Sequence, residues 1–151
     1  MNKSEKAVNL FKQGYNCCQA VFCAFCQDFG INLEQGLKLS SSFGGGMGGM
    51  REVCGTVSGM FMVLGLKYGY SVSNDINLKK QHYDLIRKTA KIFADENGSI
   101  ICKELLGISK PTTEEGYVPA ERNAKFFKKR PCVELVAFAT ELTEKFLNSN
   151  N

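Results

Sequence analysis

Residues 53–68, VCGTVSGMFMVLGLKY, contain the longest apolar run of the chain and indicate its fold class. Their apolar spacing suits a helix, and four small residues, Cys54, Gly55, Ser58 and Gly59, form a stripe along it. Each glycine inside a helix costs about 1 kcal/mol relative to alanine, so a stripe of this density requires a reason. We predict a buried central helix that packs closely on another backbone. The alternative is a cofactor or substrate bound over Gly55 and Gly59 beside Cys54.

Helical periodicity also dominates the rest of the chain, and β alternation is nearly absent. We predict one all-α domain over residues 1–151. It is a compact multi-helix bundle with a glycine-rich connector, residues 44–49, before the central helix. The other seven predicted helices cover about residues 4–13, 17–29, 33–42, 77–97, 100–107, 120–129 and 131–147, with a loop at 109–119.

Composition narrows the class of protein further. The chain is 44% hydrophobic and 23% charged, as expected for a globular domain. No apolar run reaches the roughly 18 residues that span a bilayer, and the polar N-terminus does not resemble a signal peptide. The net charge of +4 is too small and too dispersed to predict nucleic-acid binding. We therefore expect a cytoplasmic protein that neither inserts into a membrane nor binds nucleic acid.

The seven cysteines are the unusual feature of the composition. In a reducing compartment, this number indicates metal or redox chemistry rather than a disulfide scaffold. Cys17, Cys54, Cys102 and Cys132 each fall in the first turn of a predicted helix. The positive end of the helix dipole stabilises a thiolate there, and such cysteines can have pKa values far below the ordinary value of about 8.5. If the four helix ends converge, they form a site.

The other three cysteines are harder to interpret. Cys23 and Cys26 form a CxxC spacing within the predicted helix 17–29, where Cys23 falls on the polar side and Cys26 at its border. No second CxxC completes a zinc site, and no βαβ pattern indicates a thioredoxin-like motif. Cys18 either fills space beside Cys17 or forms a vicinal disulfide with it. The roles of Cys18, Cys23 and Cys26 are left open.

Five motifs, in this order, resemble those of the C-GCAxxG-C-C family of redox-active proteins: Gly14–Val21 (GYNCCQAV), Phe43–Gly46 (FGGG), Cys54–Gly59 (CGTVSG), Cys102–Gly107 (CKELLG) and Arg130–Cys132 (RPC). The resemblance extends over nearly the whole chain. It implies a helical fold and redox activity, and it places the family's four signature cysteines on Cys17, Cys54, Cys102 and Cys132. Two positions depart from the family pattern, since Thr56 replaces an alanine and Cys18 replaces alanine or serine.

Three functions are compatible with these cysteines. In the first, two or more of the four signature cysteines cycle between dithiol and disulfide, or the four hold an iron–sulfur cluster that passes electrons to a redox partner. In the second, the same four bind Zn²⁺ or Cu⁺ without catalysis. In the third, the chain is an interaction module that forms a homodimer through the glycine stripe. The sequence identifies no substrate or redox partner, and it leaves open whether the protein is an enzyme.

Overall fold

The computed structural model describes residues 1–107 and 131–149, which contain α-helices and no β-strand. The all-α prediction is therefore confirmed for this part of the chain. The predicted loop at 109–119 and the predicted helix at 120–129 lie outside the described residues. The α-helices are α1 Lys3–Lys12, α2 Cys17–Cys23, α3 Leu33–Ser40, α4 Gly55–Tyr68, α5 Ile76–Asn97, α6 Cys102–Leu106 and α7 Cys132–Asn148, and two 3₁₀ helices cover Cys26–Phe29 and Ser41–Phe43.

Helix α4 is the buried centre of the fold, and it packs against α2 on one side and α7 on the other. Its glycines permit the close approach of α2. A Cβ atom on Gly59 would lie 3.0 Å from the carbonyl oxygen of Cys18 and 3.0 Å from Cβ of Val21. A Cβ atom on Gly55 would lie 3.0 Å from the backbone nitrogen of Cys18. The face of α4 that carries Gly55 and Gly59 is thus covered by α2.

Asparagine and aspartate side chains begin several helices, as their spacing predicts. Asn16, Asn32 and Asp75 each accept a hydrogen bond from the backbone N–H three residues further along the chain. This bond satisfies one of the donors that have no partner inside the helix. Helix α5 ends at Gly98, whose φ of 97° is a left-handed conformation that glycine adopts without steric cost.

The prediction of one continuous helix over residues 17–29 is wrong. Helix α2 ends at Cys23, Ala24 and Phe25 form a turn, and a 3₁₀ helix begins at Cys26. All four of these residues are buried. The side chains on both sides of the break therefore belong to the core.

The starts of the cysteine-bearing helices also differ from the prediction. Cys54 is the N-cap residue of α4 and makes no side-chain capping hydrogen bond. Cys102 is the first residue of α6, after the N-cap Ile101, and Ser99 does not cap that helix. Ser99 instead accepts a hydrogen bond from the backbone of Ile101, which fixes the turn before α6. Cys132 is the first residue of α7, after Pro131.

Among the described residues, no helix combines the length and the apolar character that crossing a lipid bilayer demands.

Candidate functional site

Cys54 and Cys102 are brought together by a short backbone pairing. Val53 and Ile101 form an isolated antiparallel bridge, so the segments that lead into α4 and α6 run side by side. The N–H of Cys54 donates to the carbonyl of Ile100 at 2.8 Å, and the N–H of Cys102 donates to the carbonyl of Glu52 at 2.6 Å. These bonds hold both cysteines by their backbones at adjacent helix starts.

The glycine-rich segment 44–49 passes close to this pairing. Gly46 has a φ of 71°, and a Cβ atom there would lie 2.7 Å from Cβ of Cys102 and 2.7 Å from Cα of Arg51. Only glycine fits this position without moving the neighbouring backbone. Arg51 itself has a left-handed φ of 61°, which is uncommon for a residue with a side chain. The segment therefore folds so that Arg51 turns back towards α6.

The Arg51 side chain supplies a positive charge at the site. Its Nη1 donates a hydrogen bond to Sγ of Cys102 at 3.6 Å. Both residues are nearly inaccessible to solvent, with Arg51 4% exposed and Cys102 8% exposed. A guanidinium group remains charged at any physiological pH, and a buried charge interacts more strongly than one in water. This contact places a permanent cation beside one of the signature sulfurs.

Cys54 lies in a different electrostatic environment. Its Sγ is 3.0 Å from Oγ1 of Thr56, at the position where this chain departs from the family pattern. Burial raises the pKa of Cys54 to about 11, although hydrogen bonds from the Thr56 hydroxyl and backbone N–H partly oppose this. The prediction that the helix start lowers the pKa is therefore wrong for Cys54, because desolvation outweighs the dipole.

Cys17 and Cys132 also lie near Cys54. A Cβ atom on Gly55, the residue after Cys54, would lie 3.1 Å from Cβ of Cys17. Cys132 is near enough that the charge of its thiolate raises the pKa of Cys54, as does that of Cys102. Cys17 and Cys132 are half-buried, whereas Cys54 and Cys102 are buried. The described fold thus arranges the other three signature cysteines around Cys54.

This arrangement does not fit a metal centre in the described part of the chain. In residues 1–107 and 131–149, no group of three or more His, Cys, Asp or Glu side chains is placed to hold a metal ion. The zinc, copper and iron–sulfur interpretations of Cys17, Cys54, Cys102 and Cys132 therefore receive no support from this geometry.

The remaining three cysteines form a second group in the core. Cys18, Cys23 and Cys26 are fully buried, so the prediction that Cys23 lies on a polar face is wrong. The continuous helix assumed for that prediction does not exist. Cys18 lies between the two groups, since the thiolate charges of Cys23 and Cys54 both raise its pKa, and burial contributes most to a value of about 12. Its Sγ contacts Sδ of Met62 at 3.7 Å.

A cavity of about 630 Å³ lies at the opposite end of α4 from Cys54. Its lining includes Tyr70 and His82, whose rings meet edge to face with centroids 6.2 Å apart. Sequence reasoning missed this cavity and treated His82 as exposed, whereas His82 is half-buried. The cavity forms where the ends of α4 and α7 meet α5, which no local pattern predicts. No cysteine lines it.

Comparison with known protein families gives one match. A family model described as "Putative redox-active protein (C_GCAxxG_C_C)" matches residues 15–146. The matched range covers most of the chain and includes Cys17, Cys54, Cys102 and Cys132. No curated protein and no solved structure matches the chain.

Proposed function

The chain belongs to the C_GCAxxG_C_C family, and we propose that it performs thiol–disulfide exchange through Cys102 and Cys54. The hydrogen bond from Arg51 to Cys102 carries this proposal. The thiolate is the form that attacks a disulfide, and a neighbouring cation favours that form. Arg51 places a guanidinium group at hydrogen-bonding distance from Cys102, and we therefore assign Cys102 as the attacking residue.

Cys54 is the resolving residue. Its thiol remains protonated at neutral pH, because burial raises its pKa to about 11. A protonated thiol does not attack a free disulfide efficiently. It does suit the second step of exchange, in which the mixed disulfide is already held beside it. The pairing of Val53 with Ile101 keeps the two cysteines next to each other for this step.

The reaction balances as a two-electron transfer. The Cys102 thiolate attacks a substrate disulfide RSSR, forms a mixed disulfide and releases RS⁻, which takes up a proton from water to give the first thiol. The sulfur of Cys54 then attacks the sulfur of Cys102, and its proton leaves with the second thiol. The products are a Cys54–Cys102 disulfide and two RSH molecules. The substrate gains two electrons, and a reducing partner must return them to the protein.

Cys17 and Cys132 provide the route to that partner. Both are half-buried, whereas the reacting pair is buried, so they are the signature cysteines that a partner protein can reach. Thiol–disulfide exchange between Cys54 and either of these two cysteines would move the disulfide from the buried pair to a half-buried residue. We assign this reaction to a reducing, cytoplasmic compartment, in which a free dithiol is the resting state.

Trapping the mixed disulfide tests the assignment of roles. Reduced protein is treated with oxidised glutathione, its free thiols are blocked with N-ethylmaleimide, and tryptic fragments are analysed by mass spectrometry. In the native sequence we expect fragment 52–67 linked to fragment 92–103. In Cys54→Ser we expect glutathione to remain attached to Cys102.

The matched variants separate the two roles. In Cys102→Ser we expect no linked fragments. We also expect glutathione to attach to Cys54 more slowly than it attaches to Cys102 in the native sequence. Cys23→Ser serves as a control that retains both signature residues, and it should give the native result. Glutathione attached first to Cys54, with Cys102 unmodified, would contradict the proposed roles.

A further inference from the structure

We propose that Cys23 and Cys26 form a second redox site, a buried dithiol that oxidises to an internal disulfide. The family motifs do not include these two residues, and the exchange proposed for Cys102 and Cys54 does not use them. The inference rests on the closeness of their sulfurs beneath Gly36, on the backbone that joins them and on the helix that covers them.

The two thiols lie close together, and the charge of Cys26 raises the pKa of Cys23. Both sulfurs also face one point on α3. A Cβ atom on Gly36 would lie 2.6 Å from Sγ of Cys26 and 3.1 Å from Sγ of Cys23. Because Gly36 has no side chain, the two sulfurs occupy the same small space beneath the helix.

The backbone between the two cysteines suits a disulfide. Helix α2 ends at Cys23, and the 3₁₀ helix begins at Cys26. Within this turn the N–H of Phe25 donates to the carbonyl of Phe22 at 3.1 Å, which is the tight i to i+3 bonding of a 3₁₀ turn. Residues three apart in such a turn are neighbours, and a disulfide likewise requires its two Cα atoms to be near each other, about 4.4–6.8 Å apart.

Local opening of the 3₁₀ helix would give an oxidant access to the two cysteines. Both cysteines are fully buried, but Gln27 and Asp28, directly after Cys26, are exposed. A 3₁₀ helix of four residues has few hydrogen bonds, so its local opening costs much less than global unfolding. Opening this segment exposes Cys26 first. Reaction through an opened state predicts that this pair oxidises more slowly than Cys102.

Lys6 is the charged residue that favours thiolates at this site. Its positive charge lowers the pKa of both Cys23 and Cys26, while burial raises both and dominates. Lys6 also donates a hydrogen bond from Nζ to Oε1 of Gln27 at 3.2 Å, which anchors the 3₁₀ helix to α1. Asp28 opposes Lys6 by raising the pKa of Cys26, and Ser40 faces Cys23 from α3 at 4.0 Å.

The oxidant is a low-molecular-weight disulfide, RSSR. In the opened state Cys26 loses its proton to water, and its thiolate attacks RSSR and releases RS⁻, which takes up a proton to give the first RSH. The thiol of Cys23 then attacks the sulfur of Cys26 and releases the second RSH. One S–S bond breaks, one forms, and the two electrons lost by the protein reduce RSSR to two thiols. The protein loses two thiol protons, and the two RSH molecules carry two.

Chymotryptic mapping tests this proposal, because phenylalanines flank both cysteines. Cleavage after Phe22, Phe25 and Phe29 separates fragment 23–25 from fragment 26–29, and it places Cys17 and Cys18 in fragment 16–22. The Cys54→Ser/Cys102→Ser double variant is equilibrated with oxidised glutathione under native conditions, and its free thiols are blocked. We expect fragments 23–25 and 26–29 linked by a disulfide, in at least half of the molecules at the most oxidising ratio.

The double variant keeps this test independent of the proposed function, because it lacks both residues of the Cys102–Cys54 exchange. Cys18→Ala in the same background is the matched control and should give the same linked fragments. Blocked Cys23 and Cys26 without a link, or a link between fragments 16–22 and 23–25, would overturn the proposal. Circular dichroism of each variant before oxidation verifies that the protein being oxidised is folded.

Discussion

The two pairs of cysteines are both buried, but they differ in the charge beside them. Cys102 receives a hydrogen bond from the nearly inaccessible guanidinium of Arg51, and Cys54 lies beside it across a backbone bridge. The sulfurs of Cys23 and Cys26 both lie against Gly36 of α3, and the charge of Lys6 on α1 lowers the pKa of both. We propose attack on a substrate disulfide for the first pair and formation of an internal disulfide for the second.

This difference shows that position on a helix does not by itself determine thiol reactivity. Cys54 is the N-cap residue of α4, where the dipole favours a thiolate, yet burial raises its pKa to about 11. The dipole supplies about half a charge, whereas removal of water from a full negative charge costs more.

The largest effect that we predict comes from a substitution at Gly46, beside the Cys54–Cys102 pair. In Gly46→Ala, the added methyl group meets the backbone of Arg51 and Glu52 and the side chain of Cys102. A left-handed alanine costs about 1–2 kcal/mol, and overpacking adds about 1–3 kcal/mol. We expect the free energy of unfolding in urea to fall by about 3 kcal/mol. Gly48→Ala is the matched control, since its φ of 58° is similar but its nearest contact is 3.8 Å away. A cost equal to that of Gly48→Ala would contradict the tight packing against Cys102.

Much of the fold could be predicted from the sequence because its signals are local. The asparagine caps at Asn16 and Asn32 depend on hydrogen bonds within one helical turn, and the structure retains both. The small-residue stripe of α4 indicated a close backbone neighbour, and α2 is that neighbour at Gly55 and Gly59. Each of these predictions needed only the residues within one element.

The details of the site could not be predicted because they depend on contacts between distant segments. The role of Arg51 follows from its left-handed backbone and from the bridge between Val53 and Ile101, and neither has a pattern in the sequence. The sequence has no proline or glycine at the break after Cys23, so no local signal predicts that α2 ends there. On the two sides of this break, Cys23 and Cys26 both lie in the core beneath Gly36.

Removing the charge of Arg51 sharpens the comparison between the two pairs. In Arg51→Gln, Cys102 loses the cation that favours its thiolate, so we expect its alkylation by iodoacetamide at pH 7 to slow about tenfold. Alkylation of Cys26 should not change. Lys6→Gln is the matched control, because Lys6 faces the second pair and not the first. The rates are measured for each cysteine by mass spectrometry of timed samples. Equal slowing of Cys102 and Cys26 in Arg51→Gln would indicate a general loss of structure instead.

Filling the space beneath α3 tests how tightly the Cys23–Cys26 pair packs against this helix. In Gly36→Ala, the added methyl group displaces the sulfur of Cys26, at a cost of about 2 kcal/mol that the better helix propensity of alanine reduces to about 1 kcal/mol. Gly65→Ala on α4 is the matched control, since a Cβ there meets nothing within 4 Å. We expect that control to stabilise the protein by about 0.5–1 kcal/mol in urea unfolding. Stabilisation by Gly36→Ala would show that the two sulfurs are not held against α3.

Single buried thiols are also expected to contribute to alkaline stability. An unfolded cysteine loses its proton near pH 8.5, whereas burial raises the pKa of Cys23 to about 12 and that of Cys54 to about 11. Above pH 8.5 the unfolded chain therefore binds fewer protons than the folded chain, so the free energy of unfolding decreases as the pH rises. Each thiol contributes about 1.4 kcal/mol per pH unit until its folded pKa is reached, and below pH 8.5 its contribution is constant.

Urea unfolding under reducing conditions from pH 8 to pH 10.5 measures this slope. We expect Cys23→Ala and Cys54→Ala each to make the decline shallower by about 1 kcal/mol per pH unit, because each variant lacks one thiol that only the unfolded chain ionises. Cys23→Ala and Cys54→Ala should change the slope alike, although we expect the two pairs of cysteines to differ in their reactivity towards iodoacetamide. An unchanged slope in Cys54→Ala, with a shallower one in Cys23→Ala, would mean that Cys54 ionises in the folded protein and is itself able to attack.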